Sequence, residues 1–220
     1  METPMPDDKA QAVPPPEQGL TRRQAIATGG GIVAGCVIGI GYNAGDRTGN
    51  RSPVLRPPGA LMGDEFLAAC IRCGQCVEVC PYDTLRLMDL TSGIQAGTPT
   101  FTAVSNPCWM CQGHDSLLCI DACPTNALAK LDDPMDARMG TAVINESLCW
   151  AYNGAMCRAC WHACPYPDQA IVYDEMLRPT VNADVCTGCG LCEHGCPTEK
   201  VAIVIKPRGS VELTIGGLST

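Results

Sequence analysis

At 220 residues the chain is long enough for one or two domains, but it holds two phenylalanines and is 5% aromatic, which speaks against a conventional large hydrophobic core. Its net charge of −8, with no basic face interleaved with aromatics, speaks against nucleic-acid binding and suits either encounter with a basic patch on a redox partner or a solvated acidic surface with no role. Seventeen cysteines supply an alternative to core burial, because metal-ligation energy is also folding energy.

In chain order, residues 1–20 are polar and proline-rich, including Pro14, Pro15 and Pro16, a composition that predicts disorder. Thr21-Arg22-Arg23-Gln24-Ala25-Ile26 and a Gly-rich apolar run to Gly41 read as a twin-arginine export signal, with Ala25 where such signals usually carry Phe. Residues 1–45 are therefore assigned to a signal or membrane anchor. Tyr42-Asn43-Ala44 is a poor A-x-A cleavage site, and 25–41 is at the short limit for a span, so cleavage and retention both stay open. Val33-Ala34-Gly35-Cys36 also fits a lipoprotein box. The apolar run continues through Val37, Ile38 and Ile40, so a small buried residue is the preferred reading of Cys36.

Residues 46–62, in which Arg47, Arg51 and Arg56 alternate with Pro53, Pro57, Pro58 and Gly59, predict an extended, polyproline-like linker. A short helix over 64–69, capped by Asp64, opens the domain proper, which is assigned to 63–206. Residues 207–220 form a C-terminal tail.

Sixteen of the cysteines fall into four groups: Cys70, Cys73, Cys76 and Cys80; Cys108, Cys111, Cys119 and Cys123; Cys149, Cys157, Cys160 and Cys164; Cys186, Cys189, Cys192 and Cys196. Each ends in C-x3-C-P, the proline being Pro81, Pro124, Pro165 or Pro197. The first and fourth have the full C-x2-C-x2-C-x3-C-P run that wraps a cubane iron–sulfur cluster. Three closely spaced thiolates on one loop reach three irons of a cubane, and the fourth, a helical turn later, points away. Disulfide frameworks and zinc sites do not predict this repeated ending. All sixteen are thus candidate iron ligands, for four [4Fe–4S] clusters.

After each C-P comes a β-like run (85–88, 127–130, 170–173 and 201–205), and strand-like lead-ins (100–104, 141–145 and 179–182) precede the later groups. The repeating unit is strand, ligand loop, helical turn, strand. This predicts an α+β fold of two ferredoxin-like modules, four half-units in all. In two-cluster ferredoxins the fourth cysteine of one motif ligates the other cluster. Groups one and four share a 2-2-3 spacing, while groups two and three are 2-7-3 and 7-2-3, which favours a nested layout. Its outer module is about 63–95 plus 177–206, and its inner module about 98–176. Cys196 then joins Cys70, Cys73 and Cys76, and Cys80 joins Cys186, Cys189 and Cys192. Cys164 joins Cys108, Cys111 and Cys119, and Cys123 joins Cys149, Cys157 and Cys160. Sequential pairing, one with two and three with four, is the rival.

Trp109, Trp150 and Trp161 sit in or beside ligand loops, where they either exclude water from a cluster or simply pack. His162 and His194 lie in x3 gaps whose thiolate positions are filled, and are expected at the surface. No Gly-rich phosphate loop, Ser/His/Asp constellation or carboxylate pair occurs, so the chain is not expected to be catalytic alone.

Leu55-Arg56-Pro57-Pro58-Gly59-Ala60, the run from Cys70 to Leu85, Ala137-Arg138-Met139-Gly140 and Cys186-Thr187-Gly188-Cys189-Gly190, with the twin-arginine start, resemble the NapG/MauM family of four-cluster ferredoxin-type proteins. The resemblance is strongest to its NapG branch, associated with periplasmic nitrate reductase. It implies an electron-transfer subunit of a quinol dehydrogenase at the periplasmic face of the inner membrane. A NapH-like membrane partner would donate the electrons, and nitrate reductase or its cytochromes would accept them. The MauM branch would place the chain in methylamine utilisation instead. A maturation factor for a reductase and a purely structural binding module are the other readings. Export by the twin-arginine route, which carries folded proteins, reconciles cubane clusters with an oxidising compartment.

Overall fold

The structure, a computed structural model, describes residues 53–209. The expected signal or anchor over 1–45, Cys36, the first part of the linker and most of the tail lie outside the described residues. Among those described, no helix is long and apolar enough to cross a membrane.

The elements are short. In order they are α1 (Gly63–Ala69), α2 (Gln75–Glu78), β1 (Arg86–Leu87), a 3-10 segment (Leu90–Gln95), β2 (Pro99–Thr100), α3 (Leu118–Asp121), a 3-10 turn (Pro134–Asp136), β3 (Gly140–Ile144), α4 (Ala159–Ala163), β4 (Ile171–Tyr173), β5 (Pro179–Val181), α5 (Leu191–His194) and β6 (Ile203–Pro207). Helices of about one turn cannot hold themselves together. Each of α2 to α5 carries the third cysteine of a group, so ligation is what can fix them.

Strand pairing builds two modules of the same plan. In the first, β1 pairs antiparallel with β2, Arg86 opposite Thr100. An outer pair encloses them, with Ala60 bridged to Leu128, Leu61 N–H donating to Ala127 O and Ala129 N–H to Gly59 O. In the second, β4 pairs with β5 inside the five-residue β3–β6 pair, Gly140 opposite Pro207 and Ile144 opposite Ile203. The β3–β6 pair follows the period-2 pattern: Ala142, Ile203 and Ile205 are buried while Val143 and Val204 face solvent. Glu193 of α5 is buried and accepts from Ile205 N–H at 2.7 Å, tying the helix to β6. Both phenylalanines, Phe66 and Phe101, are buried.

Three expectations change here. Residues 53–62 are not a linker: Leu55, Pro57 and Pro58 are buried, Thr100 Oγ1 donates to Leu55 O at 2.8 Å, and 59–61 form the outer edge of the first module. Pro57 and Pro58, which have no N–H to satisfy, lead into that edge. Asp64 does not cap α1; Met62 holds the cap position with no side-chain hydrogen bond, and Asp64 sits in the first turn. The lead-in at 100–104 is shorter than expected, because the chain turns at Thr102, which bridges Asn106.

The nested layout fails because each half of the chain closes on itself, the first through 59–61 with 127–129 and the second through β3 with β6. Neighbours in sequence pair at a smaller loop-closure cost than distant segments do. Helices α2 and α3 pack together, as do α4 and α5.

Candidate metal centres

The ligand loops are built from backbone that curls. Between Cys70 and Cys76, Arg72 (φ 57°) and Gly74 (φ 78°) are left-handed, and in the second group Met110 (φ 52°) and Cys111 (φ 49°) are too. A side chain in that region costs about 1–3 kcal/mol, so the loop conformations are held by something stronger than local preference. Arg72 is pinned by its own side chain, Nε donating to Ala96 O at 2.9 Å and Nη2 to Ile94 O at 3.1 Å.

The thiols gather in four sets, each taking three cysteines from one group and the last from its sequence neighbour. Site A is Cys70, Cys73, Cys76 and Cys123, lining one pocket with Phe66 and Leu128. Site B is Cys80, Cys108, Cys111 and Cys119, whose thiolates repel one another. Site C is Cys164, Cys186, Cys189 and Cys192, lining a pocket with Ala142 and Ile205. Site D is Cys149, Cys157, Cys160 and Cys196, with Trp150 and Ile203 in its wall. All four nested exchanges are thus replaced. Cys196 stands in site D rather than with Cys70, Cys73 and Cys76, and Cys80 stands in site B rather than with Cys186, Cys189 and Cys192. Cys164 is in site C and Cys123 in site A.

Burial and mutual repulsion make these sets hostile to bare thiolates. Burial, then the facing thiolates of Cys70, Cys73 and Cys123, push the Cys76 thiol up to about 11. Burial lifts Cys108 to about 12 and Cys160 and Cys164 to about 11, and it also drives Cys119 and Cys192 well above the ordinary thiol value. Two thiols go the other way. Burial opposes it, but the Leu128, Thr125 and Ala127 amides and the Thr125 hydroxyl hold Cys123 below its ordinary value. The Thr198 hydroxyl and the Thr198, Ala202 and Ile203 amides do the same for Cys196, again against burial. Ala202 N–H reaches Cys196 Sγ at 3.4 Å and Ala142 N–H reaches Cys186 Sγ at 3.5 Å. Thiolates so placed need a cationic core, which would displace their protons on binding.

A multi-atom core fits better than a single ion. Among the described residues no three His, Cys, Asp or Glu side chains converge closely enough to hold one metal ion; the thiols stand apart, around pockets. Site D also offers an orphaned donor. The Tyr173 hydroxyl is buried with no hydrogen-bond partner among the described residues. Burial and the Cys160 thiolate, then those of Cys157 and Cys149, raise it to about 12 against the Arg158 guanidinium, which lies 5.2 Å from its ring centroid. It stays protonated and would donate to a sulfur of a group held there.

The 4Fe-4S dicluster domain matches residues 69–127, spanning groups one and two together, and a 4Fe-4S binding domain matches 179–199. The chain is 41% identical over 216 residues to the ferredoxin-type protein NapG of Escherichia coli, covering 91% of each chain. It is also 41% identical over 208 residues to the methylamine utilization ferredoxin-type protein MauM of Methylorubrum extorquens, covering 89% of this chain and 92% of that one. The ferredoxin-type protein NapF of E. coli is 29% identical over 152 residues, covering 67% of this chain and 82% of that one. The chain belongs to the NapG/MauM family of ferredoxin-type proteins. It is therefore an iron–sulfur electron-transfer protein that uses 4Fe–4S clusters.

Within this family member, the sequence-marked Arg56 acquires a role. Nη1 donates to Thr98 Oγ1 at 2.6 Å and Pro99 O at 2.9 Å, and Nη2 donates to Gln95 Oε1 at 2.6 Å. The guanidinium lies 4.7 Å from the Phe66 ring centroid. Burial lowers it to about 10, opposed by the Cys70 thiolate, so it is a cation beside site A. Arg56 was legible as a family marker but not as a site residue; Tyr173 carried no sequence signal at all.

Trp109 stacks on Tyr82 at 5.8 Å between centroids and meets His194 edge-on. Trp161 lies edge-on to His162 and its Nε1 donates to Asp168 Oδ1 at 3.0 Å. Trp150 lines site D, the position from which it can exclude water. His162 and His194 are both exposed, as expected.

Proposed function

We propose that the chain is a four-cluster electron carrier, with one [4Fe–4S] cluster in each of sites A to D and the sixteen cysteines of those sites as its iron ligands. The observation that carries the reading is the gathering of these cysteines into four sets of four. Such a cluster takes up and gives back one electron at a potential set by its surroundings. The chain's own residues do the rest. Thiolates hold the core, amides and hydroxyls donate to sulfur, and Trp150, Phe66 and Leu128 keep water from the walls.

The sets form a row. Thiolates of Cys76 in site A and Cys119 in site B are neighbours, as are Cys108 in B and Cys189 in C, and Cys192 in C and Cys160 in D. Cys73 of site A is the exposed thiol among the described cysteines. Ile71 and Ile94, both exposed, flank the Arg72 contact beside it, a surface suited to an electron-transfer partner.

The proposed setting is the periplasmic face of the inner membrane, reached by twin-arginine export. A NapH-like quinol dehydrogenase donates, and periplasmic nitrate reductase or its cytochromes accept. The relatives named NapG and NapF support this assignment. A second reading, electron transfer in methylamine utilisation, rests on the equal identity to MauM. Disrupting the gene separates them: loss of quinol-driven nitrate reduction with growth on methylamine intact supports the first, and the reverse supports the second. If the isolated reductase also fails with artificial donors, the chain is a maturation factor.

The Tyr173 donor gives a sharper local test. Tyr173→Phe is expected to keep the fold and lower the reduction potential of site D by roughly 40 mV, the one-electron equivalent of one neutral hydrogen bond. Potentiometric titration followed by electron paramagnetic resonance reads it; an unchanged set of potentials removes the hydroxyl from the site.

A further inference from the structure

Between sites B and C the two modules meet through a compact set of contacts. Residues 103–109 of the first module lie on the start of α5 in the second. Cys108 N–H donates to Cys189 O at 2.8 Å, His194 Nδ1 donates to Val104 O at 2.9 Å, and His194 meets Trp109 edge-on with centroids 6.5 Å apart. The two residues joined backbone to backbone, Cys108 and Cys189, are themselves a site-B and a site-C thiol. Gly190, next in the chain, makes that approach possible. A Cβ there would stand 2.5 Å from Ala103 Cβ and 3.1 Å from Ala103 Cα, closer than carbon atoms come.

We infer that electrons cross between the modules at the Cys108–Cys189 hydrogen bond, and that Gly190 is the positioning residue that keeps this junction closed. The inference rests on the four-cluster reading. One electron leaves one side, which is oxidised by one, and arrives at the other, which is reduced by one; no bond forms or breaks and no proton moves. The path is short and covalent except for the one hydrogen bond, so widening it slows the crossing without touching any ligand.

Gly74 shows that the loop itself does not explain Gly190. It holds the same place in the first motif, directly after the second cysteine and at the N-cap of its helix. Its φ of 78° resembles the 88° of Gly190. Yet the nearest atom to a Cβ at Gly74 is Leu87 Cδ1, at 3.9 Å. Alanine at either position therefore pays similar backbone strain, and only at 190 does the methyl wedge the modules apart.

The test uses the full chain, purified anaerobically with its clusters, as wild type, Gly74→Ala, Gly190→Ala, and Gly190→Ala combined with Ala103→Gly. Iron content confirms loading. Hydrogen–deuterium exchange of the peptide around Cys108 reads the hydrogen bond. Electron redistribution after reduction of one module by a photoreductant reads the crossing. Gly190→Ala is expected to speed exchange at Cys108 and slow redistribution severalfold. Gly74→Ala should do neither, and Ala103→Gly should restore both by making room for the methyl. A loaded Gly190→Ala that behaves as wild type, equal slowing in Gly74→Ala, or no rescue by Ala103→Gly overturns the inference while leaving the four-cluster reading intact. A wild type holding fewer than four clusters overturns both.

Discussion

Serine at position 80 is expected to empty one site of the first module and to leave both sites of the second loaded. Cys80 faces Cys108, Cys111 and Cys119, so its loss removes about four irons, one cubane's worth, from site B. Because ligation substitutes for core burial here, the damage should reach the strand and helix around α3. Hydrogen exchange should rise over 105–123 and stay unchanged over 183–199. The nested arrangement puts the damage in the other place, at Cys186, Cys189 and Cys192. Cys196→Ser is the mirror experiment: it should disturb 149–160 and spare the first module. Iron analysis with exchange mapped by peptide distinguishes the outcomes in both variants.

Replacing Arg56 with methionine is expected to weaken the first module and to lower the potential of site A. The guanidinium makes three hydrogen bonds, to Thr98, Pro99 and Gln95, and covers the Phe66 ring. Charged-group hydrogen bonds in a half-buried setting imply a loss of about 2–4 kcal/mol, read by denaturant unfolding of the loaded protein. The charge effect is separate. A cation near Cys70 favours the reduced, more negative state of whatever that thiolate ligates, so removing it shifts the potential down. The shift should be roughly 50–100 mV, the one-electron equivalent of 1–2 kcal/mol. Arg56→Lys keeps the charge and loses the fork of donors, so it should recover the potential more fully than the stability.

How far the sequence could be read depends on what its spacing encodes. The ligand quartets were visible because a cubane dictates loop length, and the C-x3-C-P ending dictates a helical turn. The four one-turn helices and the runs at β1, β3, β4, β5 and β6 followed from that repeat. Which quartets share a module was not visible, because motif spacing describes a loop and says nothing of where its fourth thiolate points. The likeness of 2-7-3 to 7-2-3 suggested a partnership. The adjacency of 59–61 to 127–129, a pairing of three residues, decided against it. The same three residues explain the misread linker: Pro57 and Pro58 look extended and solvated, but Leu55 is buried and Arg56 anchors the stretch. The positive φ of Arg72, Met110 and Cys111 left no trace in residue type, since these are not residues that prefer it. Tyr173 becomes a site residue only when the fold brings its hydroxyl to Cys160.

On the proposed four-cluster reading, the sixteen cysteines hold four clusters and nothing else. Iron and sulfide analysis of anaerobically purified full-length protein, with low-temperature electron paramagnetic resonance through a redox titration, tests it most directly. Four clusters give about sixteen irons per chain, four to each set of four thiolates, and a fully reduced spectrum shaped by interacting neighbours along the row. About eight irons, with the remaining thiols free or bridged as disulfides, would contradict it.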